Sequence, residues 1–340
     1  MADRRPTLED VAALAGVGRG TASRAINGSA RVSERARAAV LRAVRDLGYV
    51  PDAAARTLAG GRAAPSGTLA LVLAEEPGRR FEQPFLGRLL DGITAAADAA
   101  RTAVALHYAP SGGERAALAR RLREPRTDGV LLLSTLPREP LAGVLERAGV
   151  PTVTAGRPAG VAPGEAGDAG YVDADNRGGS RRATEHLVGG GRRRIATIAG
   201  PPERSVGADR LAGYRRALGD RPELVAFGDF TEAGGMLAMR RLLDRRADLD
   251  AVFAASDVMA AGALRELERQ GRRVPDDVAV VGFEDAAPRR PTRPMLTTVH
   301  QPTERMGRAM VEMLLASLGT APEDREPVIC RTGLVLRRTA

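Results

Sequence analysis

The chain has 340 residues, 51 Lys+Arg against 42 Asp+Glu, a formal net charge of +9 and 44% hydrophobic residues; this length is too great for one ordinary core. All 51 of those basic residues are arginine, which excludes a Walker lysine, a Schiff-base lysine and a serine–lysine dyad. The one cysteine, Cys330, leaves no internal disulfide, His107, His186 and His300 lack zinc-ligand spacing, and no G-x-S-x-G elbow, signal peptide or membrane span is present, so the expectation is a cytoplasmic non-enzyme with no metal, no cofactor and no membrane partner.

The first element pair lies in Thr7 to Asn27, TLEDVAALAGVGRGTASRAIN. Thr7 with Asp10 resembles a capping box, and Val11 and Leu14 fall on one face of a helix from Leu8 to Ala15. Gly16 permits the reversal and Val17 supplies an apolar turn residue. Ala22, Ala25 and Ile26 give the second helix a small buried face and leave Arg19, Gly20, Thr21, Ser23 and Arg24 at its outward N-terminal half, the layout of a helix-turn-helix that reads DNA. Gly16, Gly18 and Gly20 faintly resemble a phosphate-binding glycine fingerprint, but no strand precedes them. A third helix, Ser33 to Leu47, is capped by Ser33, carries Val40, Val44 and Leu47, and stops at Gly48. Tyr49-Val50-Pro51-Asp52 then leads into Ala53 to Ala59, a two-turn helix ended by Gly60-Gly61 and too short to hold alone in water. Residues 1–62 carry 11 Arg against 6 Asp+Glu, a net of +5, and the other 278 residues a net of +4; basicity is concentrated at the end that should meet phosphate.

From Thr68 short apolar runs alternate with helical stretches: 69–74, 103–109, 130–134, 151–156, 171–175, 195–200, 224–230, 251–256 and 278–283. Strands separated by helices predict parallel sheets with helices on both faces. Ligands of such sheets bind beyond the carboxyl ends of the strands, where the sequence offers Ser134, Arg157, Glu203 or Arg204, Asp229 with Phe230, Ser256 with Asp257, and Glu284 with Asp285. These hydroxyls, carboxylates and guanidinium groups suit a small polar ligand, with Phe230 stacking on an apolar ring face. Asp175 and Asn176 read as caps of the helix that follows.

These motifs, in this order, resemble the lactose-repressor (LacI/GalR) family of bacterial transcription regulators. The resemblance is carried by Thr7-Leu8, Asp10-Val11-Ala12, Ala15-Gly16-Val17, Thr21, Ser23-Arg24, Asn27-Gly28, Val32-Ser33, Leu47-Gly48-Tyr49, Pro51 and Leu58-Ala59-Gly60. Beyond the headpiece it continues through Val172 to Glu185, Arg210 to Tyr214, Asp229-Phe230-Thr231, Phe253 to Asp257, Val280 to Phe283, Leu296 to Val299 and Gln301-Pro302, and so covers nearly the whole chain. It implies a headpiece over 1–50, a hinge helix and linker over 51–62, and over 66–340 a two-lobed periplasmic-binding-protein-like domain. The first lobe is placed at about 66–190 and 301–326, the second at about 191–300 and 327–340, with crossovers near Gly189 to Arg192, Val299 to Gln301 and Pro327.

The resemblance further implies a homodimeric regulator, in the sense of a repressor, on a pseudo-palindromic double-stranded operator. Arg19, Gly20 and Arg24 would face base edges; Thr21, Ser23, Asn27 and Ser33 would hold phosphates, and Thr7 would also lie among the DNA-binding residues. Leu58 of the hinge helix would wedge open the central base step from the minor groove, and Ala55 of the same helix would also contact DNA. A small effector, a sugar, sugar phosphate or nucleobase-like metabolite, would sit between the lobes against Phe85, Ser134, Arg204, Arg210, Phe230, Asp257 and Glu284. Gly18, Gly20, Asp52, Ser256 and Glu284 depart from the usual family residues, and the tail shows no leucine heptad for tetramer formation. A solute-binding protein without DNA-directed function is the alternative reading, and an enzyme ranks last.

Overall fold

The computed structural model describes residues 6–26, 32–47, 49, 66–74, 84–109, 111–123, 127–134, 140–165, 167, 169–285, 292–318 and 325–340. The chain divides into two compact units, Met1–Ala64 and Pro65–Ala340.

In the first unit, α1 (Leu8–Leu14), α2 (Arg19–Ile26) and α3 (Glu34–Leu47) surround a core of Val11, Ala12, Ala22, Ala25, Val32, Val40 and Ala43. The capping box forms: the Thr7 hydroxyl accepts the Asp10 N–H at 3.3 Å, and the Asp10 carboxylate accepts the Thr7 N–H at 2.7 Å, satisfying two of the donors a helix start leaves open. Gly16, at φ +67°, turns the chain so that the Val17 N–H reaches the Ala12 carbonyl at 3.0 Å. The Ser33 hydroxyl accepts the Ala36 N–H at 3.3 Å at the head of α3. Leu14, expected on the buried face, is exposed instead. With α1 only seven residues long, the inward stripe is Leu8, Val11, Ala12 and Ala15, the i, i+3, i+4, i+7 set.

In the second unit the first sheet is fed by β1 (Thr68–Ala74), α4 (Pro84–Ala99), β2 (Ala103–Tyr108), α5 (Gly112–Leu122), β3 (Gly129–Ser134), α6 (Leu141–Arg147), β4 (Thr152–Ala155) and β5 (Gly170–Ala174). The second is fed by α7 (Asn176–Gly189), β6 (Ile195–Ala199), α8 (Ser205–Leu218), β7 (Val225–Phe227), α9 (Glu232–Arg245), β8 (Ala251–Ala254), α10 (Asp257–Arg269), β9 (Ala279–Glu284) and β10 (Thr297–His300). The chain then returns through α11 (Thr303–Ala316) and β11 (Val328–Cys330) and ends with β12 (Gly333–Val335). The sheet orders are β11-β5-β4-β3-β1-β2 and β12-β10-β9-β8-β6-β7. All pairings are parallel except β12 against β10. Burial on both faces explains the unbroken apolar runs, such as Leu69 to Ala74.

Helices cover each sheet on two sides. Leu89 and Ile93 of α4 pack with Met306, Met310 and Leu314 of α11 on one face of the first sheet, and Leu118, Leu122, Leu141 and Leu145 cover the other. On the second sheet Met239, Leu242 and Met259 lie on one face, and Ala183, Leu187, Leu211 and Tyr214 on the opposite one. Helices α4 and α11 meet through glycines: a Cβ on Gly92 would lie 2.0 Å from the Glu304 carbonyl oxygen, and one on Gly307 2.3 Å from that of Leu89.

Three crossings link the lobes, and two differ from their expected places. Helix α7, assigned above to the first lobe, packs Ala183 and Leu187 with Ile195 and Phe253 of the second, so the first crossing is at Asp175, directly after β5, and not at Gly189 to Arg192. The second follows β10, through Gln301. The third lies between Cys330 and Gly333, because β11 pairs with β5 in the first sheet, not in the second lobe from 327 onward. Three-residue edge strands such as β11 and β12 are too short to show periodicity, and Val328 and Ile329 are exposed; that is why the sequence pattern passes over them.

Candidate functional site

Two surfaces carry functional chemistry, one in each unit. On the first, Arg19, Gly20 and Arg24 of α2 are exposed, Thr21 and Ser23 half-buried, and Ser33 exposed. The buried Ala22 and Ala25 fix α2 to the core by its other side. The Arg19 guanidinium lies 2.9 Å from the Glu9 carboxylate, a solvent-exposed pair that contributes little stability and is easily exchanged. The Arg24 Nε donates to the Gly20 carbonyl at 3.0 Å. Among the described residues a Cβ at Gly18 or Gly20 would meet nothing within 4 Å, so packing against them does not require these glycines. Thr7 is committed to its cap. Asn27, Ala55, Leu58 and the other hinge residues lie outside the described residues.

On the second, a cleft of about 440 Å³ opens between the carboxyl ends of the two sheets, a size usual for small-molecule sites. Its lining includes Phe85, Arg157, Asp173, Asn176, Arg204, Arg210, Phe230, Ser256, Glu284, Gln301 and Met306. Arg210 is its hub and is fully buried. Its Nε donates to Asn176 Oδ1 at 2.9 Å, one terminal nitrogen to the Ala255 carbonyl at 2.6 Å and to Glu284 Oε1 at 3.2 Å, and the other to Gln301 Oε1 at 3.0 Å. The Phe283 ring lies 3.8 Å from the guanidinium carbon. One arginine thus joins two of the crossings, through Asn176 and Gln301, to the ends of β8 and β9. Burial raises the Glu284 carboxyl above its ordinary value against the opposing charge of Arg210.

Asn176 passes this network to Asp173, whose Oδ1 accepts the Asn176 amide at 3.0 Å and the Ala174 N–H at 2.8 Å; its Oδ2 accepts the Arg157 N–H at 3.3 Å. Burial pushes the Asp173 carboxyl up to about 6, with its two backbone hydrogen bonds and Arg210 opposing the shift. Across the cleft, the Arg157 guanidinium donates to Asp209 at 2.6 Å, Arg177 donates to the same carboxylate at 2.7 Å, and the Ser205 hydroxyl donates to the Arg157 carbonyl at 2.6 Å. Arg88 of α4 reaches the Asp285 carbonyl at 3.0 Å.

Phe230 is buried with its ring over Gly200, where a Cβ would lie 2.4 Å from Cζ; the Arg204 guanidinium stands 6.0 Å from the ring centroid. Phe230, Glu284 and Asp285 have φ of +65°, +112° and +52°, a backbone conformation costly for these residues and concentrated at functional sites.

Of the residues expected to meet a ligand, Phe85, Arg204, Arg210, Phe230 and Glu284 line this cleft. Asp257 is absent from the lining: its buried carboxylate accepts the Thr298 hydroxyl while the flanking Ser256 and Val258 face the cleft. As the first residue of α10 it is directed into the lobe, where a Cβ on Gly282 would lie 2.3 Å from its Oδ1. Ser134 ends β3 opposite Ala74, and its side chain lies outside the described residues. Asp173, Gln301 and the amide of Asn176 escaped the list of site residues. A carboxylate inside an otherwise apolar strand was the available signal for Asp173. Asp175 does cap α7, accepting the Gly178 N–H at 2.8 Å, whereas Asn176 serves the network.

The description "Bacterial regulatory proteins, lacI family" matches residues 7–52, and "Periplasmic binding protein-like domain" matches residues 184–340. The HTH-type transcriptional regulator CelR of Thermobifida fusca is 49% identical over 343 residues, spanning 99% of this chain and 98% of its own. The chain belongs to the LacI family of bacterial regulatory proteins. The HTH-type transcriptional repressor PurR of Proteus mirabilis is 32% identical over 340 residues, spanning 98% of this chain and 96% of its own. Among solved structures, a transcriptional regulator CelR–cellobiose complex has a TM-score of 0.75 at 46% identity, covering 99% of this chain and all of that one. The lac repressor dimer bound to operator and the anti-inducer ONPF has a TM-score of 0.76 at 27% identity, covering 99% of each. The chain is therefore a DNA-binding transcriptional regulator with a ligand-binding domain, and these relatives are regulators, not enzymes. Among the described residues no helix is long and apolar enough to cross a membrane.

Proposed function

We propose that this protein is a cytoplasmic homodimeric repressor whose cleft takes a neutral, hydroxyl-rich sugar, with cellobiose the first ligand to test. The cleft itself carries this reading. It joins an aromatic ring, Phe230, to buried carboxylate and amide groups, and two of its three lining arginines, at 157 and 210, are already committed to Asp209 and Glu284. Such a site offers hydroxyl groups acceptors and a stacking face, and offers a phosphate few available cations. The cellobiose complex of the CelR relative supports the same ligand class.

Two headpieces of a dimer lay α2 in successive major grooves of a pseudo-palindromic operator. Arg19, Gly20 and Arg24 face base edges; Thr21, Ser23, Asn27 and Ser33 face phosphates. Arg19 exchanges Glu9 for a base, and the hinge places Ala55 and Leu58 at the central minor groove. Sugar between the lobes favours one lobe arrangement and thereby shifts the population able to hold DNA. The test is thermal denaturation of the full chain with neutral sugars and with their 6-phosphates. A melting temperature raised by a neutral sugar is expected; stabilisation by phosphorylated sugars alone contradicts the reading.

A further inference from the structure

We propose that Asp173 is the acceptor in the cleft that takes ligand hydroxyls and bars anionic ligands, a role that rests on the sugar-binding reading above. Three observations carry it. Asp173 lines the cavity while only 7% exposed. It is held rigidly, by the Ala174 N–H, the Asn176 amide and the Arg157 N–H. Among the described residues these three neutral donors are its hydrogen-bond partners, and none is a cation; the neighbouring guanidinium of Arg210 spends its bonds on Asn176, Ala255, Glu284 and Gln301.

A buried carboxylate held only by neutral donors is costly to the fold, and its Oδ2, carrying one 3.3 Å bond, retains acceptor capacity. Ligand hydroxyls supply further donors to it. A phosphate placed there meets the carboxylates of Asp173, Glu203 and Glu284, while two of the three arginines in the same lining, Arg157 and Arg210, are already paired with Asp209 and Glu284.

The charges that face Asp173 are Arg210 and Glu284 from the second lobe, Asp209 on α8 with its partners Arg157 and Arg177, and Glu203 and Arg204 at the head of α8. From the first lobe Tyr171 shares its strand, while Cys330 of β11 and Arg305 of α11 lie beyond. With the Asp173 carboxyl at about 6 instead of the ordinary 3.8, its cost to the fold grows as pH rises toward 6 and is complete above it. Hydroxyl donors favour the charged form, so bound sugar lowers this value and sugar affinity falls as pH drops through about 6.

Full-length wild type, Asp173→Asn and Asp173→Glu are titrated calorimetrically with cellobiose, other neutral mono- and disaccharides and their 6-phosphates at about pH 7.5 and about pH 5. Asp173→Asn is expected to lose roughly ten- to a hundredfold in affinity for the neutral sugar at the higher pH. It should also lose the pH slope and melt, unliganded, no lower than wild type. Asp173→Glu keeps the slope with a smaller loss. Neutral-sugar binding by Asp173→Asn with wild-type affinity and slope overturns this role alone. Wild type that binds no neutral sugar, or only phosphorylated ones, overturns the sugar-binding reading together with it.

Discussion

The headpiece and the cleft are built from opposite kinds of interaction. In the headpiece the bonds that shape the reader span three or four residues: Thr7 with Asp10, Ser33 with Ala36, Arg24 with Gly20. Arg19 and Arg24, proposed above to face base edges, stand exposed on a scaffold of alanines and valines. In the cleft, Arg210 bonds to partners 34, 45, 74 and 91 residues away, and the functional groups are buried and mutually dependent. A local design can change its reading residue by residue with little effect on folding. A long-range network ties recognition to the positions of both lobes, which is what a ligand-controlled switch needs.

Substitutions should separate the two designs, and the largest effect belongs to the hub. Arg210→Ala leaves Glu284 buried without its cation and strands Asn176, Gln301 and the Ala255 carbonyl; denaturant unfolding of the second unit should lose about 3–5 kcal/mol. A loss under about 1 kcal/mol would show that the network does not hold the lobes as described. Next comes Gly92→Ala, which sets a methyl group against the Glu304 carbonyl and should cost about 1–3 kcal/mol in the same measurement, with the headpiece untouched.

The headpiece should respond in the opposite pattern. Arg19→Ala should leave thermal stability nearly unchanged, since its pair with Glu9 is exposed, yet relax base preference by about 1–3 kcal/mol at one position in each half-site. A uniform loss across sequences would mark a phosphate contact. The smallest effect is expected from Thr7→Ala, which removes the cap and should cost about 1 kcal/mol of headpiece stability while sugar binding in the cleft stays as in wild type.

The same contrast explains how much was legible in the sequence. Caps, the Gly16 turn and the stripe of alanines act over one or two turns, so Thr7 to Ile26 can be read directly; even the misjudged Leu14 concerns only which of two neighbouring faces is buried. Parallel strands show as apolar runs because both their faces are covered, and the ligand-binding end of each sheet follows from that. Which side chains meet there is a tertiary fact. Asp257 and Ser256 are adjacent in sequence and part company at the start of α10, one into the lobe and one toward the cleft. Asn176 reads as a cap because caps are local, whereas its partners Asp173 and Arg210 come together only when the first crossing and α8 are in place. The lobe boundaries slipped for the same reason: α7 follows β5 without a break, and only the burial of Ala183 and Leu187 reveals which sheet it serves.

The central claim is that one chain reads DNA with α2 and is switched by a neutral sugar in the cleft. The most direct test is selection of random duplexes by the full-length protein, with and without saturating cellobiose, followed by titration of the enriched site. The account predicts enrichment of a two-fold symmetric site whose affinity the sugar changes by about tenfold or more, a coupling of ordinary allosteric size. An enriched site held with equal affinity in the presence and absence of bound sugar would contradict it.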